Sequence, residues 1–268
     1  MTARIPAPEL AALVRSCADE VLRRWPAGAP PERKADGSLV TAADLEIQAM
    51  LQGELERRWP GIPLLGEEMP GARQAELCVT DRRYWCLDPL DGTTNYVWGV
   101  PFHATSLALM EGGRPVVGVV YDPQRQECFS AERGAGAFLD GRPLPERPAP
   151  PELRRCLAVI DFKRFAAEQI ADLLGRRAWR SQRNFGACAL EWCWLAAGRV
   201  HLYLHGGMKL WDLGAGSLIL EEAGGVGTDP GGGPISYCTP GPIPVLAAAT
   251  PTLHAAWLEW FGPAGLGG

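Results

Sequence analysis

Two aspartates, Asp88 and Asp91, lie three residues apart after an apolar run, in the segment LDPLDGTTNY. Pro89 restricts Asp88 to extended geometry, and Gly92 permits a tight bend directly after Asp91. Carboxylates held this close repel each other unless a positive charge lies between them. A hard divalent cation with oxygen ligands meets that need, and the carbonyl of Leu90 offers a further oxygen.

The residues that follow predict a phosphate site beside this metal site. If residues 92–94 begin a helix, the free N–H groups at its start are suited to bind phosphate. One loop would then hold a metal ion and a phosphate side by side. The simpler alternative is an Asx-Pro turn whose carboxylates are solvated.

Three further acidic sites are candidates for the same centre. Glutamates occur in GEE (66–68) after an apolar extended run, and Asp212 occurs in KLWDLGAGSLIL. The small residues 214–216 would let another backbone come close to Asp212. Asp44 occurs in GSLVTAAD. Each has a simpler explanation, which is an exposed turn for the glutamates and a helix cap for each aspartate.

The elements that must position these residues follow from the periodicity of the chain. Residues 8–25 and the capping pattern Thr41–Asp44 predict two helices. From residue 84, ATSLALM, PVVGVVYDP and ECFSAE predict an antiparallel meander. Later, the strands LAVID, VHLYLH and VLAAA alternate with the helices ACALEWCWLAAG, LGAGSLILEEAGG and TPTLHAAWLEW, the last capped by Thr250. Strands mixed with helices on both sides predict a layered α/β fold.

The length of 268 residues suits one large domain or two joined halves. Proline-rich residues 141–152 predict a linker. We therefore expect an N-terminal half, 1–142, with the first helices, the metal-site loop and the antiparallel sheet. A C-terminal α/β half, 152–268, would complete the active site.

Composition limits the classes of function. Apolar residues make up 47% and charged residues 21%, as in a soluble globular protein. The net charge of −5, with no long run of one sign, disfavours nucleic acid as the main partner. No stretch approaches the roughly 20 apolar residues of a membrane span, and we expect no signal peptide. The eight cysteines contain no CxxC pair, which predicts reduced thiols in a cytoplasmic protein.

Taken together, the acidic segments resemble those of the inositol monophosphatase superfamily of metal-dependent, lithium-sensitive phosphatases. The resemblance extends from the first helix nearly to the C-terminus, and its order and separation also fit. It implies an alternating α-β-α-β-α sandwich with mixed and antiparallel sheets. The matching segments are 34–44, 66–68, 87–96 and 211–216, with 116–138 resembling the central sheet.

The resemblance also implies a role for each residue. Glu67, Asp88, Asp91, Asp212 and the Leu90 carbonyl would bind roughly two or three Mg²⁺ ions. Mn²⁺ is an alternative ion, and Li⁺ and Ca²⁺ are expected inhibitors. Glu67 and Thr93 would contact the attacking water, Asp44 would orient Thr93, and the N–H groups of Gly92 and Thr93 would bind phosphate. Lys34 matches a lysine on a mobile loop near the metals.

The sequence departs from the family pattern at the residues expected to contact the substrate. Family members that use inositol phosphate carry a glutamate seven residues before the aspartate of the WD motif, and here that residue is His205. The alternative is a surface or packed histidine. Lys163, Arg164 and Lys209 would favour a second anionic group if two of them faced the site, and otherwise they are solvated charges. Arg183 aligns with a segment that contacts substrate.

We therefore predict a Mg²⁺-dependent phosphomonoesterase, a homodimer by analogy, that acts on a small polar phosphate ester. Alternatives for the substrate are a sugar phosphate, a sugar bisphosphate, a nucleotide 3′-phosphate and histidinol phosphate. A regulatory binding protein on the same fold and a structural Ca²⁺-binding domain are alternatives of other classes.

Overall fold

The computed structural model describes residues 4–28, 30–34, 37–80, 82–145 and 148–262. These residues contain eight α-helices and fourteen strands. The helices are α1 (Ala7–Arg24), α2 (Ala42–Arg58), α3 (Gly71–Cys78), α4 (Thr93–Val97), α5 (Ala167–Arg176), α6 (Cys188–Ala196), α7 (Leu210–Glu222) and α8 (Pro251–Phe261).

The strands form two large sheets and one hairpin. The first nine are β1 (Glu32–Arg33), β2 (Leu39–Val40), β3 (Leu64–Gly66), β4 (Tyr84–Asp91), β5 (Ala104–Glu111), β6 (Arg114–Asp122), β7 (Glu127–Glu132), β8 (Gly136–Leu139) and β9 (Arg142–Pro143). The others are β10 (Leu157–Asp161), β11 (Ser181–Arg183), β12 (Leu202–Met208), β13 (Val226–Thr228) and β14 (Ile243–Ala248).

The first sheet has seven strands in the order β3-β4-β5-β6-β7-β8-β9. Its strands from β4 to β9 pair antiparallel, which confirms the predicted meander. The pair β3 and β4 is parallel, so the carboxyl ends of these two strands lie at the same edge. That edge carries the GEE turn and the two aspartates of LDPLDGTTNY.

The second sheet has five strands in the order β11-β10-β12-β14-β13. β10 is parallel to β11 and to β12, whereas β14 is antiparallel to β12 and β13. The carboxyl ends of β10 and β12 therefore lie side by side. β12 ends at Met208 and α7 begins at Leu210, so this edge leads directly into the helix that carries Asp212.

Alternate side chains along each strand enter different apolar clusters, because successive side chains of a strand point to opposite faces of the sheet. Trp85 and Leu87 pack with α1 and α2, whereas Tyr84 and Cys86 pack on the other face with α6 and α7. The second sheet packs one face against α6 and α7 and the other against α5 and α8. The resulting order of layers confirms the α-β-α-β-α sandwich.

Two predicted helix starts are present as expected, whereas two helices were not predicted. Thr41 and Asp44 form a reciprocal cap at α2, and the Thr250 side chain accepts a hydrogen bond from the Leu253 N–H at α8. α3 and α5 were missed, although Ile170, Leu173 and Leu174 of α5 occur at helical spacing.

The division into two halves stays a prediction. One apolar cluster includes residues of both sheets and of α6 and α7, so the halves share a core. Residues 146 and 147 of the expected linker, and the chain ends 1–3 and 263–268, lie outside the described residues. All eight cysteines are described, and each is a free thiol. Over the described ranges, no helix has the length and apolarity needed to cross a bilayer.

Candidate active site

The end of β4 brings Asp88 and Asp91 to the same side of the sheet through an irregularity in its pairing with β5. The Leu90 N–H donates to Asp88 Oδ1 (3.0 Å), which closes a local turn. Gly92 then has φ +85°, a backbone conformation that side-chain-bearing residues rarely adopt. A Cβ there would also lie 3.0 Å from the Ala187 Cβ. Both the backbone conformation and the lack of space therefore favour glycine at this bend.

Asp91 is held by the first turn of α6. Its two carboxylate oxygens accept hydrogen bonds from the N–H groups of Cys188 (3.1 Å) and Ala189 (2.7 Å). The start of a helix favours a negative charge, because its first N–H groups lack partners within the helix. This contact links the first sheet to the second half of the chain.

Asp212 occupies the third position of α7, where its carboxylate accepts the Lys209 N–H (2.8 Å). The small residues after it allow the close packing that was predicted. A Cβ on Gly216 would lie 2.5 Å from the Trp192 Cβ of α6, and a Cβ on Gly118 of β6 would lie 2.9 Å from the Ala215 carbonyl oxygen. α7 therefore lies against both α6 and the first sheet, and this places Asp212 beside the end of β4.

Asp88, Asp91 and Asp212 converge. Each offers one carboxylate oxygen, and these three atoms lie within 4.8 Å of one another. We call these residues the acidic cluster. Asp88 and Asp91 are almost completely buried, and Asp212 is partly buried. Within the described residues, it is the one group of three or more potential metal-ligating side chains with this spacing.

The acidic cluster is electrostatically strained without a cation. Burial raises the pKa of Asp88 well above its usual value, and the charges of Glu67 and Asp91 add to the effect. Burial and then Asp212 do the same to the pKa of Asp91. Burial raises the pKa of Asp212 to about 7. A set of carboxylates that disfavours its own ionised form fits a hard divalent cation, which would supply the missing positive charge.

The GEE turn lies beside this cluster. The Glu67 N–H donates to the Leu87 carbonyl (3.1 Å), which places Glu67 next to Asp88 across the parallel strand pair. The Glu67 carboxylate accepts a hydrogen bond from Lys34 Nζ (2.7 Å), and the same ammonium contacts Glu68 Oε1 at 2.6 Å. In this conformation Lys34 is therefore the counter-cation of Glu67.

Two glutamines that were not predicted hold the GEE turn. Gln74 of α3 donates from Nε2 to the carbonyls of Gly66 and Glu67, both at 2.9 Å. Gln48 of α2 accepts the Glu68 N–H (3.2 Å), and a Cβ on Gly66 would lie 2.2 Å from Gln48 Oε1. The sequence contains no local signal for these contacts, because both glutamines come from helices that meet the turn in space.

Glu68 and Glu191 were also missed as buried acids. Burial raises the pKa of Glu68 to about 7, although Lys34 opposes the shift. Burial likewise raises the pKa of Glu191 to about 7. Glu191 accepts hydrogen bonds from the N–H groups of Phe185 (2.8 Å) and Gly186 (3.1 Å), which shapes the loop entering α6. A glutamate inside the apolar run ALEWCW is the signal that could have identified it.

Asp44 makes the contact with Thr93 that the resemblance implied, and it also forms the helix cap that was its simpler explanation. Its Oδ2 accepts hydrogen bonds from the N–H (2.8 Å) and Oγ1 (2.5 Å) of Thr41. Its Oδ1 accepts a hydrogen bond from Thr93 Oγ1 (3.1 Å), which also lies 3.0 Å from the Leu90 carbonyl oxygen. The capping carboxylate of α2 thus reaches the first residue of α4.

His205 is a packed histidine in the middle of β12, directly opposite Asp161 of β10. His205 Nδ1 accepts the Gly207 N–H (3.0 Å), so the neutral ring carries its hydrogen on Nε2, which lies 3.7 Å from Asp161 Oδ2. Burial lowers the pKa of His205 to about 4. The imidazole is therefore neutral near pH 7.

The basic candidates differ in their surroundings. Lys163 and Arg164 are exposed on the loop after β10, and the Lys163 N–H donates to Asp161 Oδ1 (2.7 Å). We call Asp161, Lys163, Arg164 and His205 the β10–β12 wall. Arg183 is exposed on the edge strand β11, where its guanidinium donates to Ser181 Oγ (2.8 Å) and to the Gln182 carbonyl (2.7 Å). Its role in substrate binding stays a prediction.

Comparison with known proteins agrees with this architecture. The profile of the inositol monophosphatase family matches residues 9–261. The inositol monophosphatase of Mesembryanthemum crystallinum is 37% identical over 237 residues, which cover 86% of each chain. The structure of the Thermotoga maritima IMPase is 27% identical, with a TM-score of 0.80, and covers 94% of this chain and 95% of its own.

A further solved structure, an IMPase/NADP phosphatase complexed with Mg²⁺ and phosphate, is 25% identical with a TM-score of 0.80. The alignment covers 96% of this chain and 93% of that one. Its bound magnesium and phosphate fit the magnesium dependence of the family. The chain therefore belongs to the inositol monophosphatase family of magnesium-dependent phosphomonoesterases.

Proposed function

We propose that this phosphomonoesterase hydrolyses a small polar phosphate ester with water as the nucleophile, and that Glu67 and the acidic cluster hold its Mg²⁺ ions. The observation that carries the proposal is the convergence of Asp88, Asp91 and Asp212 from the end of β4 and the start of α7. The Leu90 carbonyl is the proposed fifth oxygen ligand.

Bound Mg²⁺ would offset the negative charge of the phosphoryl group and lower the pKa of a coordinated water. Roughly two or three ions per site, Mn²⁺ as a substitute, and inhibition by Li⁺ and Ca²⁺ are part of the proposal. The acidic cluster would accommodate such ions because their positive charge would offset the repulsion among its carboxylates. Glu67 would exchange its contact with Lys34 for one with the metal and the attacking water, while Glu68 keeps the lysine nearby.

Thr93 would accept a hydrogen bond from the attacking water, and Asp44 would orient the Thr93 hydroxyl. Because Thr93 Oγ1 donates its hydrogen to Asp44 Oδ1, a lone pair of the hydroxyl is left to accept a hydrogen bond from that water. The N–H groups of Gly92 and Thr93 would bind phosphate oxygens. Attack on phosphorus then breaks the ester P–O bond, and the alcohol and inorganic phosphate leave without a covalent enzyme intermediate.

The substrate class is supported by the names of relatives and constrained by His205. The relatives named above are an inositol monophosphatase, an IMPase and an IMPase/NADP phosphatase, which supports a phosphorylated polyol or nucleotide. A neutral imidazole with its hydrogen on Nε2 donates a hydrogen bond, whereas a glutamate would accept hydrogen bonds from hydroxyl groups. Inositol phosphate therefore stays one candidate among small phosphate esters.

Phosphate release tests this proposal. Wild type is assayed with Mg²⁺ and with a chelator on inositol, sugar, bisphosphate and nucleotide esters, beside the Asp91→Asn variant. We expect Mg²⁺-dependent release from at least one ester and loss of most activity in the variant. Absence of release across the panel would favour a regulatory binding protein. Stabilisation by Ca²⁺ rather than Mg²⁺, without turnover, would favour a structural domain.

We also propose a cytoplasmic homodimer. The free cysteines support a reducing compartment. Trp98, 78% exposed, and Val100, 45% exposed, support an interface because large apolar side chains on a surface often mark one. Light scattering should give twice the monomer mass for wild type and a lower mass for Trp98→Glu. A monomeric wild type would contradict the dimer.

A further inference from the structure

We propose that a cavity between α1 and the β7–β8 hairpin is a second ligand site, and that it takes a small neutral aromatic molecule with one hydrogen-bonding group. The cavity has a volume of about 560 Å³, a size typical of sites that enclose small organic ligands. We call it the α1 cavity. The inference goes beyond the proposed phosphatase reaction, since no residue of the acidic cluster lines this cavity.

The α1 cavity lies on the face of the first sheet opposite to the acidic cluster. Cys128 of β7 belongs to the apolar cluster that contains α1, whereas Phe129 belongs to the cluster that contains α6 and α7. Ser130 follows Cys128 by two residues, so its side chain also points towards α1. By the same alternation, Asp88 shares the face of Cys86, which packs towards α6 and α7. A ligand in the α1 cavity would therefore not compete with the substrate.

The Ser130 hydroxyl is the observation that points to a ligand. Ser130 is 5% exposed and lines the α1 cavity, and its Oγ forms no hydrogen bond within the part of the chain that the structure describes. Buried hydroxyl groups nearly always have a partner, because burial without one costs free energy. A molecule in the cavity would supply the partner that the protein does not, since a hydroxyl can both donate and accept.

An aromatic ring lies beside this hydroxyl. Phe138 of β8 is the cross-strand partner of Ser130, so the two side chains share a face of the sheet. Phe138 is partly exposed, and it belongs to none of the three apolar clusters of the described residues. An aromatic ligand would cover this ring, and aromatic pairs gain contact energy beyond the area that they bury.

Alanines of α1 leave the room for such a ligand. Ala7 and Ala11 lie one turn apart on the helix, and both line the cavity. The larger side chains of Leu10 and Val14 enter the apolar core instead. Because each alanine contributes only a methyl group, space remains between this part of α1 and strand β7.

The charges around the α1 cavity balance, which favours a neutral ligand. The charged residues that line it form two ion pairs, Arg4 with Glu132 (2.7 Å) and Arg15 with Asp140. Two guanidinium groups thus meet two carboxylates. An ion of either sign would gain little net attraction, whereas a neutral molecule would leave both pairs intact.

Direct binding measurements test the inference. Isothermal titration calorimetry on the full chain at neutral pH compares 1-naphthol, its parent naphthalene and the anion 1-naphthoate. Ser130→Ala removes the hydroxyl, and Ala11→Leu fills the cavity. The matched controls are Ser16→Ala, at an exposed position of α1, and Ala171→Leu, at an exposed position of α5.

We expect 1-naphthol to bind wild type with a dissociation constant of about 0.1–1 mM, as suits so small a ligand, and more tightly than 1-naphthoate. Ser130→Ala should weaken the binding of 1-naphthol about fivefold, because one hydrogen bond is lost, and leave that of naphthalene unchanged. Ala11→Leu should weaken the binding of both neutral probes about tenfold or more, because a filled cavity excludes them. Both controls should bind as wild type does.

The melting temperature shows whether each variant folds, and Ser130→Ala alone decides if Ala11→Leu does not. Absence of saturable binding by the neutral probes would overturn the inference. So would tighter binding of 1-naphthoate than of 1-naphthol, or an unchanged affinity for 1-naphthol in the folded variants. None of these outcomes bears on the phosphatase reaction, which phosphate release measures separately.

Discussion

The acidic cluster and the β10–β12 wall lie on neighbouring edges of the two sheets and are built differently. The cluster carboxylates are held by backbone groups: Asp91 by the start of α6, and Asp212 by the Lys209 N–H. The cationic part of the wall consists of the long, exposed side chains of Lys163 and Arg164. Backbone-held ligands cannot change without disturbing the fold, whereas exposed side chains can change while the fold is preserved.

The two regions also differ in their need for a counter-charge. The cluster holds acids whose mutual repulsion and burial oppose ionisation, so it needs a cation to be stable in its charged form. The cations of the wall lie exposed at the surface, where solvent already screens them. The difference teaches that the groups proposed for chemistry and those proposed for selectivity are held in different ways. Mutations should therefore separate them.

The largest effect should follow from breaking the cluster. Asp88→Asn removes a proposed metal ligand, and we expect a loss of about 1,000-fold in phosphate release, since metal stabilisation of the transition state accounts for several kcal/mol. The same variant should lose most of its Mg²⁺-induced rise in melting temperature. The exposed Asp172→Asn is the control, and retention of either property by Asp88→Asn would separate Asp88 from the metal site.

A second test disturbs the backbone that delivers Asp212. Gly216→Ala should lower the free energy of unfolding by about 1–3 kcal/mol, because its Cβ would lie 2.5 Å from the Trp192 Cβ. Gly214→Ala in the same helix is the matched control. Its Cβ would lie 3.5 Å from the Ala108 Cβ, an ordinary contact, so we expect no loss and a gain of up to about 1 kcal/mol from helix propensity. Equal results in denaturant titrations would contradict the close-packing argument.

The pH dependence of Mg²⁺ binding sharpens the electrostatic contrast. The pKa of Asp212 is raised from 3.8 to about 7, so the metal-free folded chain retains a proton that the unfolded chain loses. This residue therefore lowers stability as pH rises through that window. The pKa of His205 is lowered from 6.5 to about 4, so His205 contributes stability as pH rises there. The contribution of His205 is the same with and without Mg²⁺, so it cancels when the two samples are compared at one pH.

Because Mg²⁺ must displace the proton on Asp212, its affinity should rise with pH by up to about tenfold per unit until about pH 7. The measurement is the Mg²⁺-induced shift in melting temperature at about pH 5.5 and about pH 7.5. Asp212→Asn should weaken this dependence. A wild-type shift that is the same at both pH values would show that the cluster is ionised without metal.

A smaller effect should come from the residues that position Glu67. Gln74→Leu removes the donor shared by the Gly66 and Glu67 carbonyls, at a cost of about 1 kcal/mol in stability. We expect the Mg²⁺ concentration for half-maximal activity to rise about fivefold, with a smaller change in kcat. The exposed Gln52→Leu is the matched control. A fall in kcat with unchanged Mg²⁺ dependence would argue for a different role.

Much of the fold and the acidic segments could be predicted because their signals are local. The LDPLDGTT loop combines a proline, a glycine and two acids within a few residues, and the capping patterns at Thr41 and Thr250 mark helix starts directly. Gln48 and Gln74 could not be predicted to hold the GEE turn, because they reach it from other elements. Arg183 shows another limit: its alignment with a substrate-contacting segment was recognisable, whereas the strand β11 and the direction of its side chain were not.

The sequence by itself determined the layered fold, the family and the acidic residues, because strand and helix periods, caps and tight bends depend on neighbours along the chain. The tertiary structure alone decided that Asp88, Asp91 and Asp212 converge, that Lys34 pairs with Glu67, and that Ser130 faces the α1 cavity. Those relations depend on which strands pair and how closely α7 approaches α6 and β6. Such distances arise from packing between segments that are remote in the chain.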